Sequence, residues 1–352
     1  MAVLIGGAAI AWLLPTDGSA AICKYKIEVL QPSIPGYDFC LASALNDVGQ
    51  VTGTCVQDSG EEKRAFLYRN GVTVDVGVLS GFNQGFGYGL NNHGHVVGYS
   101  GVSFDPSTND AHLYRGGPLI DIEMWATTFT MFDTYASDIN DAGEIVGVDD
   151  YDHAVYWIEG QEPYYLADYG SKALAINQAG QIAGSASFGS ERHAVRWDGP
   201  LSMVDIGTLP GGGFSEANGI ADNGYMAGIG WTTSGIRGFF YSPASPVLQA
   251  IGTFGGSTSS ASAVSSKGLV VGYAHDAGQN WRGFVWRKGH LYQLNALLDN
   301  NPSGDPWNVF SGLDINEKGE ILAGAYSSTS TAYLLLRPQS CELSSSRACC
   351  PF

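Results

Sequence analysis

A short phrase recurs seven times along the chain, and this periodicity constrains the fold more than any other feature. The copies are SALNDVGQVTG (43–53), YGLNNHGHVVG (88–98), SDINDAGEIVG (137–147), LAINQAGQIAG (174–184), NGIADNGYMAG (218–228), SAVSSKGLVVG (262–272) and LDINEKGEILAG (313–324). Their central glycines are 37 to 51 residues apart. A period in this range is typical of proteins that stack one supersecondary unit many times. We number these units repeats 1 to 7.

Each phrase predicts a β-hairpin. Asn at the first turn position and Gly at the fourth favour a type I turn followed by a left-handed glycine. The asparagine is Asn46, Asn91, Asn140, Asn177 or Asn316, and repeats 5 and 6 have Ala221 and Ser265 instead. Because an Asn side chain can hydrogen-bond the backbone of its own turn, we interpret these residues as turn formers rather than ligand contacts.

Two further strands follow each hairpin. A β-prone phrase such as HAVRW (193–197) is the third strand, and after a tight turn a segment such as MVDIGTL (203–209) is the fourth. With 48 Gly in 352 residues, helices are disfavoured. Four antiparallel strands in each of seven repeats predict an all-β fold, a seven-bladed β-propeller. A β-solenoid and two stacked sandwiches are the alternatives.

The ends of the chain predict how the ring closes. Repeat 7 stops after its third strand, near Leu336. The segment YKIEVL (25–30) precedes repeat 1 and supplies the missing fourth strand. An N-terminal strand would therefore complete the last blade.

The six cysteines are Cys23, Cys40, Cys55, Cys341, Cys349 and Cys350. Cys40 and Cys55 lie at equal distances on either side of the turn 46–49, so we expect a disulfide between them. Cys23 and Cys341 fall at the same end of the last blade, and a second disulfide would clasp the ring. Cys349 and Cys350 are left as a vicinal pair or as partners for another chain.

The first 21 residues resemble a signal peptide, with an apolar stretch at 2–14 and small residues before a cleavage site near Ala20 or Ala21. A buried N-terminal segment is the alternative. We thus divide the chain into a signal peptide (1–21), a seven-repeat propeller (22–338) and a cysteine-containing tail (339–352). No other segment is long and apolar enough to span a membrane. Export and paired cysteines predict a secreted or periplasmic protein.

Three phrases resemble the HAF family of probable extracellular repeat proteins. They are AINQAGQIAG (175–184), HAVRW (193–197) and DIGTLPGG (205–212). The resemblance extends from about residue 25 to residue 338 and implies bacterial secretion and a propeller-like fold. It implies no activity and no catalytic residues.

The long, variable loops predict where ligands bind. They join the second strand to the third and each repeat to the next, and in a propeller both kinds lie on one face, which we call the loop face. Aromatic residues there suit the C–H faces of sugars; alternatively, they fill gaps between blades. The candidate binding aromatics are Trp125, Phe132, Trp231, Trp281 and Trp307.

Cationic or titratable residues recur where the third strand leaves the loop face. They are Arg64, His153, His193, Arg237 and Arg282. Such a set could bind uronate carboxylates, with Arg64 among the binding candidates. It could equally hydrogen-bond loop carbonyls of the neighbouring blade, which better explains its recurrence.

Acidic loop residues add two binding candidates, Asp149 and Asp152. With Asp150 they could bind Ca²⁺, although a solvated acidic loop is the simpler interpretation and we predict no cofactor. The net charge of −17 disfavours nucleic acid. No P-loop, zinc-protease or nucleophile-elbow motif is present in the sequence.

These patterns predict a non-catalytic module that binds a glycan or an extracellular protein on its loop face. The first alternative is a polysaccharide lyase, in which His153 or His193 would act with Tyr135 and with Arg237 or Arg282 on a uronate. The second is a structural scaffold.

Overall fold

The computed structural model describes residues 24–339, apart from 104, 128–132 and 201. These residues form twenty-eight strands and two short 3-10 helices, Glu123–Trp125 and Leu294–Leu297. The strands are β1 Tyr25–Leu30, β2 Phe39–Leu45, β3 Val51–Val56, β4 Lys63–Arg69, β5 Val72–Gly77, β6 Gln84–Leu90, β7 Val96–Val102, β8 Asp105–Tyr114, β9 Ile120–Asp121, β10 Thr134–Ile139, β11 Ile145–Asp149, β12 Ala154–Trp157, β13 Tyr164–Tyr165, β14 Lys172–Ile176, β15 Ile182–Phe188, β16 Glu191–Trp197, β17 Met203–Gly207, β18 Ser215–Ile220, β19 Met226–Thr232, β20 Gly235–Ser242, β21 Ser245–Ala250, β22 Gly255–Val264, β23 Val270–Asp276, β24 Trp281–Arg287, β25 His290–Gln293, β26 Asn308–Ile315, β27 Ile321–Tyr326 and β28 Thr331–Pro338.

The strands pair as four-stranded antiparallel sheets. Strands β10–β13, β14–β17, β18–β21 and β22–β25 each form one sheet in chain order. Strands β2–β9 form one larger sheet, in which a single parallel pair, Lys63 with Gln84, joins two four-stranded halves. The all-β, four-strand organisation predicted from the repeats is therefore confirmed.

The sheet of repeat 7 takes its outer strand from the other end of the chain. Strand β1 pairs with β28 from Tyr25–Pro338 to Leu30–Tyr333, and the sheet order is β1-β28-β27-β26. The predicted use of 25–30 as the missing strand is confirmed. A disulfide joins Cys40 of β2 to Cys55 of β3, as predicted. Cys23, Cys341, Cys349, Cys350, the signal peptide and nearly all of the tail lie outside the described residues.

The first hairpin of every repeat has the turn geometry that its sequence predicts. In repeat 1 the Gly49 N–H donates to the Asn46 carbonyl (3.1 Å), and Gly49 has a φ of +79°. The Asn46 Oδ1 accepts the N–H groups of Val48 (3.2 Å) and Gln50 (2.8 Å). The asparagine therefore fixes the turn, and the glycine supplies the left-handed residue.

In repeats 1 to 6 the last glycine of the phrase is needed for a different reason. The first strand carries a β-bulge, which in repeat 4 falls between Ala173 and Ala175. A Cβ added to Gly184 on the partner strand would lie 1.8 Å from the Lys172 carbonyl oxygen. Only glycine fits at such a contact, because the obstacle is backbone.

The turn asparagines also join successive repeats. Each Nδ2 donates to the carbonyl of the equivalent residue in the next repeat, over 2.8 to 3.2 Å. The bonds run from Asn46 to Asn91, Asn140, Asn177 and Ala221, and from Asn316 back to Asn46. The residue after each asparagine continues the pattern, since the Glu317 N–H donates to Asp47 and the Asp47 N–H to Asn92.

The core consists of apolar clusters between neighbouring sheets. Seven such clusters are found in the described part of the chain. One of them packs Leu322 and Leu335 of repeat 7 against Val51 and Phe66 of repeat 1. Burial between sheets thus couples the two ends of the chain directly.

No helix within the described residues is long and apolar enough to cross a membrane.

Candidate functional site

Two tryptophans stand out on the loop face. Trp231, at the end of β19, is 53% exposed, and Trp281, at the start of β24, is 51% exposed. Trp157, Trp197 and Trp286 are instead buried. An exposed indole contributes little to the core, so these two side chains are available to a ligand.

Each exposed tryptophan is supported by a second ring. Trp281 stacks on Tyr273 with 4.3 Å between ring centroids, and Trp231 lies 5.3 Å from Phe214. An indole that packs on a second aromatic ring has one face covered by that ring and the other face open to solvent. The two residues belong to adjacent repeats, 5 and 6.

Hydrogen bonds fix the loops between the two tryptophans. The Arg237 guanidinium donates to the Ser257 carbonyl (2.6 Å), which joins repeat 5 to repeat 6. The Ser257 hydroxyl donates to the Gln279 Oε1 (2.7 Å) in the loop that precedes Trp281. These contacts hold the loops that carry Trp231 and Trp281 in place before any ligand binds.

Asp276 orders the loop beside Trp281. Its carboxylate accepts the N–H groups of Asn280 (3.0 Å) and Gly278 (2.9 Å) and the Arg282 Nε–H (2.9 Å). Hydrogen bonds from Asn280, together with those from Arg282 and Gly278, lower the pKa of Asp276 to about 2. It therefore stays ionised at neutral pH.

The recurring cationic residues each have a partner close by. Arg64 donates to the Tyr37 hydroxyl (3.2 Å), and Arg282 pairs with Asp276. His153 contacts Asp149 (2.9 Å), and His193 lies 3.0 Å from Asp205 and 3.2 Å from Glu191. Burial lowers the pKa of His193, but the Asp205 and Glu191 carboxylates outweigh it, so the pKa is raised.

The lyase candidates are distributed over four sheets. Tyr135 and His153 belong to repeat 3, whereas His193, Arg237 and Arg282 belong to repeats 4, 5 and 6. Tyr135 accepts a hydrogen bond from the Asn109 Nδ2 (2.9 Å) and packs edge-on against Tyr99. Each candidate is held by its own local contacts.

The other predicted binding residues have structural contacts. Trp125 and Trp307 pack against core clusters. Asp149 is buried and accepts the N–H groups of Tyr151 and His153, whereas Asp152 pairs with Arg192 (3.2 Å). Phe132 lies outside the described residues. Within the described ranges, no three His, Cys, Asp or Glu side chains are grouped closely enough to hold a metal ion.

All seven repeats contribute residues of their first strands to the lining of one cavity of about 280 Å³, which we call the inner cavity, and most also contribute residues of the following turn. Its lining includes Tyr88, Asp138 and Asp314, none of which the sequence singled out. Comparison of the repeats in the sequence could have identified the two aspartates, because Asp138 and Asp314 occupy a position that holds only Ala or Gly in the other five copies.

Comparison with known proteins shows similarity at the level of the fold. No protein-family model and no curated protein matches the chain. The solved structure of YCF48 bound to D1 peptide matches 92% of this chain and 97% of its own, with 10% identity and a TM-score of 0.52.

Weaker matches include TolB from Acinetobacter baumannii (13% identity, TM-score 0.42, 60% of this chain) and a prolyl endopeptidase (12% identity, TM-score 0.45, 92% of this chain). The chain spans about half the length of each, 53% and 51%. The architecture and the YCF48 likeness together define an all-β, propeller-like protein.

Proposed function

We propose that the seven repeats close into a seven-bladed β-propeller of the HAF type whose loop face binds a glycan. The observation that carries the glycan proposal is that Trp231 and Trp281 are both exposed and that each packs on a second aromatic ring. Closure of the ring is supported by the asparagine hydrogen bonds that run from repeat 7 to repeat 1. The inner cavity, lined by every repeat, supports the same arrangement.

The chemistry of the loop face suits a sugar chain. A pyranose ring places apolar C–H groups on an indole and directs its hydroxyls sideways to polar groups. Asp276 and Arg282, which are paired beside Trp281, offer an acceptor and donors for such hydroxyls. Because the loops are fixed by Arg237, Ser257 and Gln279, little conformational entropy is lost on binding.

The proposed location is outside the cytoplasm, either secreted or periplasmic. The Cys40–Cys55 disulfide supports this location, because such bonds persist in oxidising compartments.

A protein partner is the second candidate, favoured by an apolar crevice between repeats 7 and 1. The crevice has a volume of about 490 Å³, and its lining includes Phe39, Leu41 and Trp307. Phe39 is 48% exposed and Leu41 is 44% exposed. Exposed apolar groups in one depression are typical of protein contact sites.

A glycan array tests the proposal. The wild-type protein is compared with the Trp231→Ala/Trp281→Ala double variant, and Tyr164→Ala serves as the control because it removes an exposed ring from an outer strand. We expect specific signals for wild type and control and their loss in the double variant. Equal signals from all three proteins would refute the assignment of the loop face.

The same glycans also separate binding from lyase activity. Incubation with uronate-containing polysaccharides should give no rise in the ultraviolet absorbance of unsaturated uronates. A rise that disappears in His153→Ala or His193→Ala would replace the binding proposal by the lyase alternative.

A further inference from the structure

The charged residues that line the inner cavity are all acidic. In the described part of the chain its lining residues include five carboxylates, Asp47, Asp138, Asp222, Asp314 and Glu317, and no Lys, Arg or His. A cavity lined with charges of one sign concentrates ligands of the opposite sign. An anionic ligand is excluded for the same reason.

Two of these carboxylates project from the bulges of first strands and bridge neighbouring repeats. Asp138 accepts the Ile176 N–H (2.9 Å) and its neighbour Ile139 N–H (2.8 Å). Asp314 accepts the N–H groups of Leu45 (2.7 Å) and Ile315 (2.7 Å). Each carboxylate oxygen has a further lone pair, so both groups can accept another hydrogen bond.

Burial, together with a smaller contribution from the negative charge of Asp314, raises the pKa of Asp138 to about 7. The pKa of Asp314 is raised by burial and by the charge of Asp47. Each of the two carboxylates is thus destabilised in its ionised form by a neighbouring acidic residue of the lining, and a bound positive charge would offset this effect.

The size and lining of the cavity favour an organic cation over a metal ion. No set of three His, Cys, Asp or Glu side chains in the described part of the chain could coordinate a metal. A volume of about 280 Å³ is near the lower end of the range for small-molecule sites, about 300–1,000 Å³. It therefore suits a ligand of roughly one ring.

The remaining lining residues indicate what kind of ring. Tyr88 is 40% exposed and offers an aromatic wall, held beside Tyr99 at 5.8 Å between ring centroids. A tyrosine face attracts both sugar C–H groups and ammonium groups. The hydroxyls of Ser43, Ser137 and Ser262 also belong to the lining and suit a ligand that carries hydroxyls.

We infer that the inner cavity binds an amino sugar through its free primary ammonium group. In this site the ammonium donates to Asp138 and Asp314, the sugar ring packs on Tyr88, and the ring hydroxyls bond to the serines. The site is separate from Trp231 and Trp281, so it goes beyond the loop-face glycan.

Isothermal titration calorimetry at neutral pH tests the inference, with D-glucosamine, N-acetyl-D-glucosamine and D-glucose as the three probes. Because acetylation removes the charge, we expect glucosamine to bind at least about tenfold more tightly than either neutral sugar. Asp138→Asn and Asp314→Asn should each weaken glucosamine about tenfold. The Trp231→Ala/Trp281→Ala variant should leave it unchanged, which distinguishes this site from the loop face.

Tyr88→Ala keeps the inference testable if the aspartate variants do not fold, since Tyr88 is partly exposed. It should weaken glucosamine about fivefold, whereas the control Tyr164→Ala should have no effect. Equal affinity for all three sugars, or no saturable binding, would overturn the inference. Tighter binding of Nα-acetyl-lysine than of glucosamine would overturn the choice of a sugar ring.

Discussion

Replacing Asn177 by alanine removes the contacts that a turn asparagine makes within its own repeat together with its contact to the next repeat. The Asn177 Oδ1 accepts the N–H groups of Ala179 (3.1 Å) and Gln181 (2.8 Å). Its Nδ2 donates to the Gln181 Oε1 (3.0 Å) and to the Ala221 carbonyl of repeat 5 (3.0 Å). The side chain is only 3% exposed, so water cannot replace these partners.

The magnitude follows from these four contacts. A hydrogen bond contributes about 0.5–1.5 kcal/mol net, and more when a buried partner is left unpaired. Taking a value in the lower half of this range for each of the four contacts, we expect Asn177→Ala to lower the free energy of unfolding by about 3 kcal/mol.

Urea unfolding, followed by tryptophan fluorescence, measures this loss. Asn223→Ala is the matched control, because Asn223 is exposed and its side chain makes two contacts instead of four: it donates to the Ser266 carbonyl (2.8 Å) and accepts the Tyr225 N–H (3.2 Å). We expect the control to lose less than about 1 kcal/mol. If both variants lost the same small free energy of unfolding, the hydrogen bonds of the turn asparagines would not hold the repeats together.

Three further predictions concern the frame of the protein. Gly184→Ala should lower the melting temperature strongly, because its Cβ would meet the Lys172 carbonyl oxygen at 1.8 Å; Gly304→Ala, with open space around it, should change little in the same thermal scan. Ser265→Asn should stabilise the fold by about 1 kcal/mol in urea unfolding, because the buried Ser265 hydroxyl has no hydrogen-bond partner among the described residues and an amide there could donate to the Asn316 carbonyl; a loss would refute this. Burial raises the pKa of Asp138 and of Glu123 to about 7, above the value of about 4 in unfolded chains. The folded state therefore binds more protons than the unfolded state between about pH 4 and 7, so melting temperatures should rise as pH falls from 8 to 5 and this slope should flatten in Asp138→Asn.

Local features of the sequence were sufficient to predict the hairpins and the closing strand. Asn-x-x-Gly defines its own turn, so the geometry at Asn46 and Gly49 needed no tertiary information. Once the hairpin was placed, the pairing of Cys40 with Cys55 followed from counting residues along the two strands, and the structure confirms it.

Contacts between repeats were not predictable in the same way. The Asn46 Nδ2 reaches a carbonyl 45 residues away, and the turn alone already explained the recurrence of asparagine. Asp138 and Asp314 were overlooked because a lone Asp in a strand has no local signature. Only the packing of the repeats in the folded chain brings both into one cavity.

Exposure of the aromatic residues was equally a tertiary property. Trp125, Trp231, Trp281 and Trp307 all lie in or beside loops in the sequence. In the structure Trp125 and Trp307 pack against core clusters, whereas Trp231 and Trp281 are half exposed. Whether a loop ring fills a gap or faces solvent depends on neighbouring repeats, which sequence spacing does not specify.

The most direct test of the glycan proposal is the affinity of the strongest glycan from the array, measured by calorimetry for four proteins. These are the wild type, Trp231→Ala, Trp281→Ala and the double variant. Loss of one stacking platform should weaken binding about tenfold, since a desolvated aromatic anchor contributes about 1–3 kcal/mol. We predict that each single variant binds about tenfold more weakly and that the double variant shows no measurable binding. Wild-type affinity in the double variant would contradict the proposal that the loop face binds the glycan.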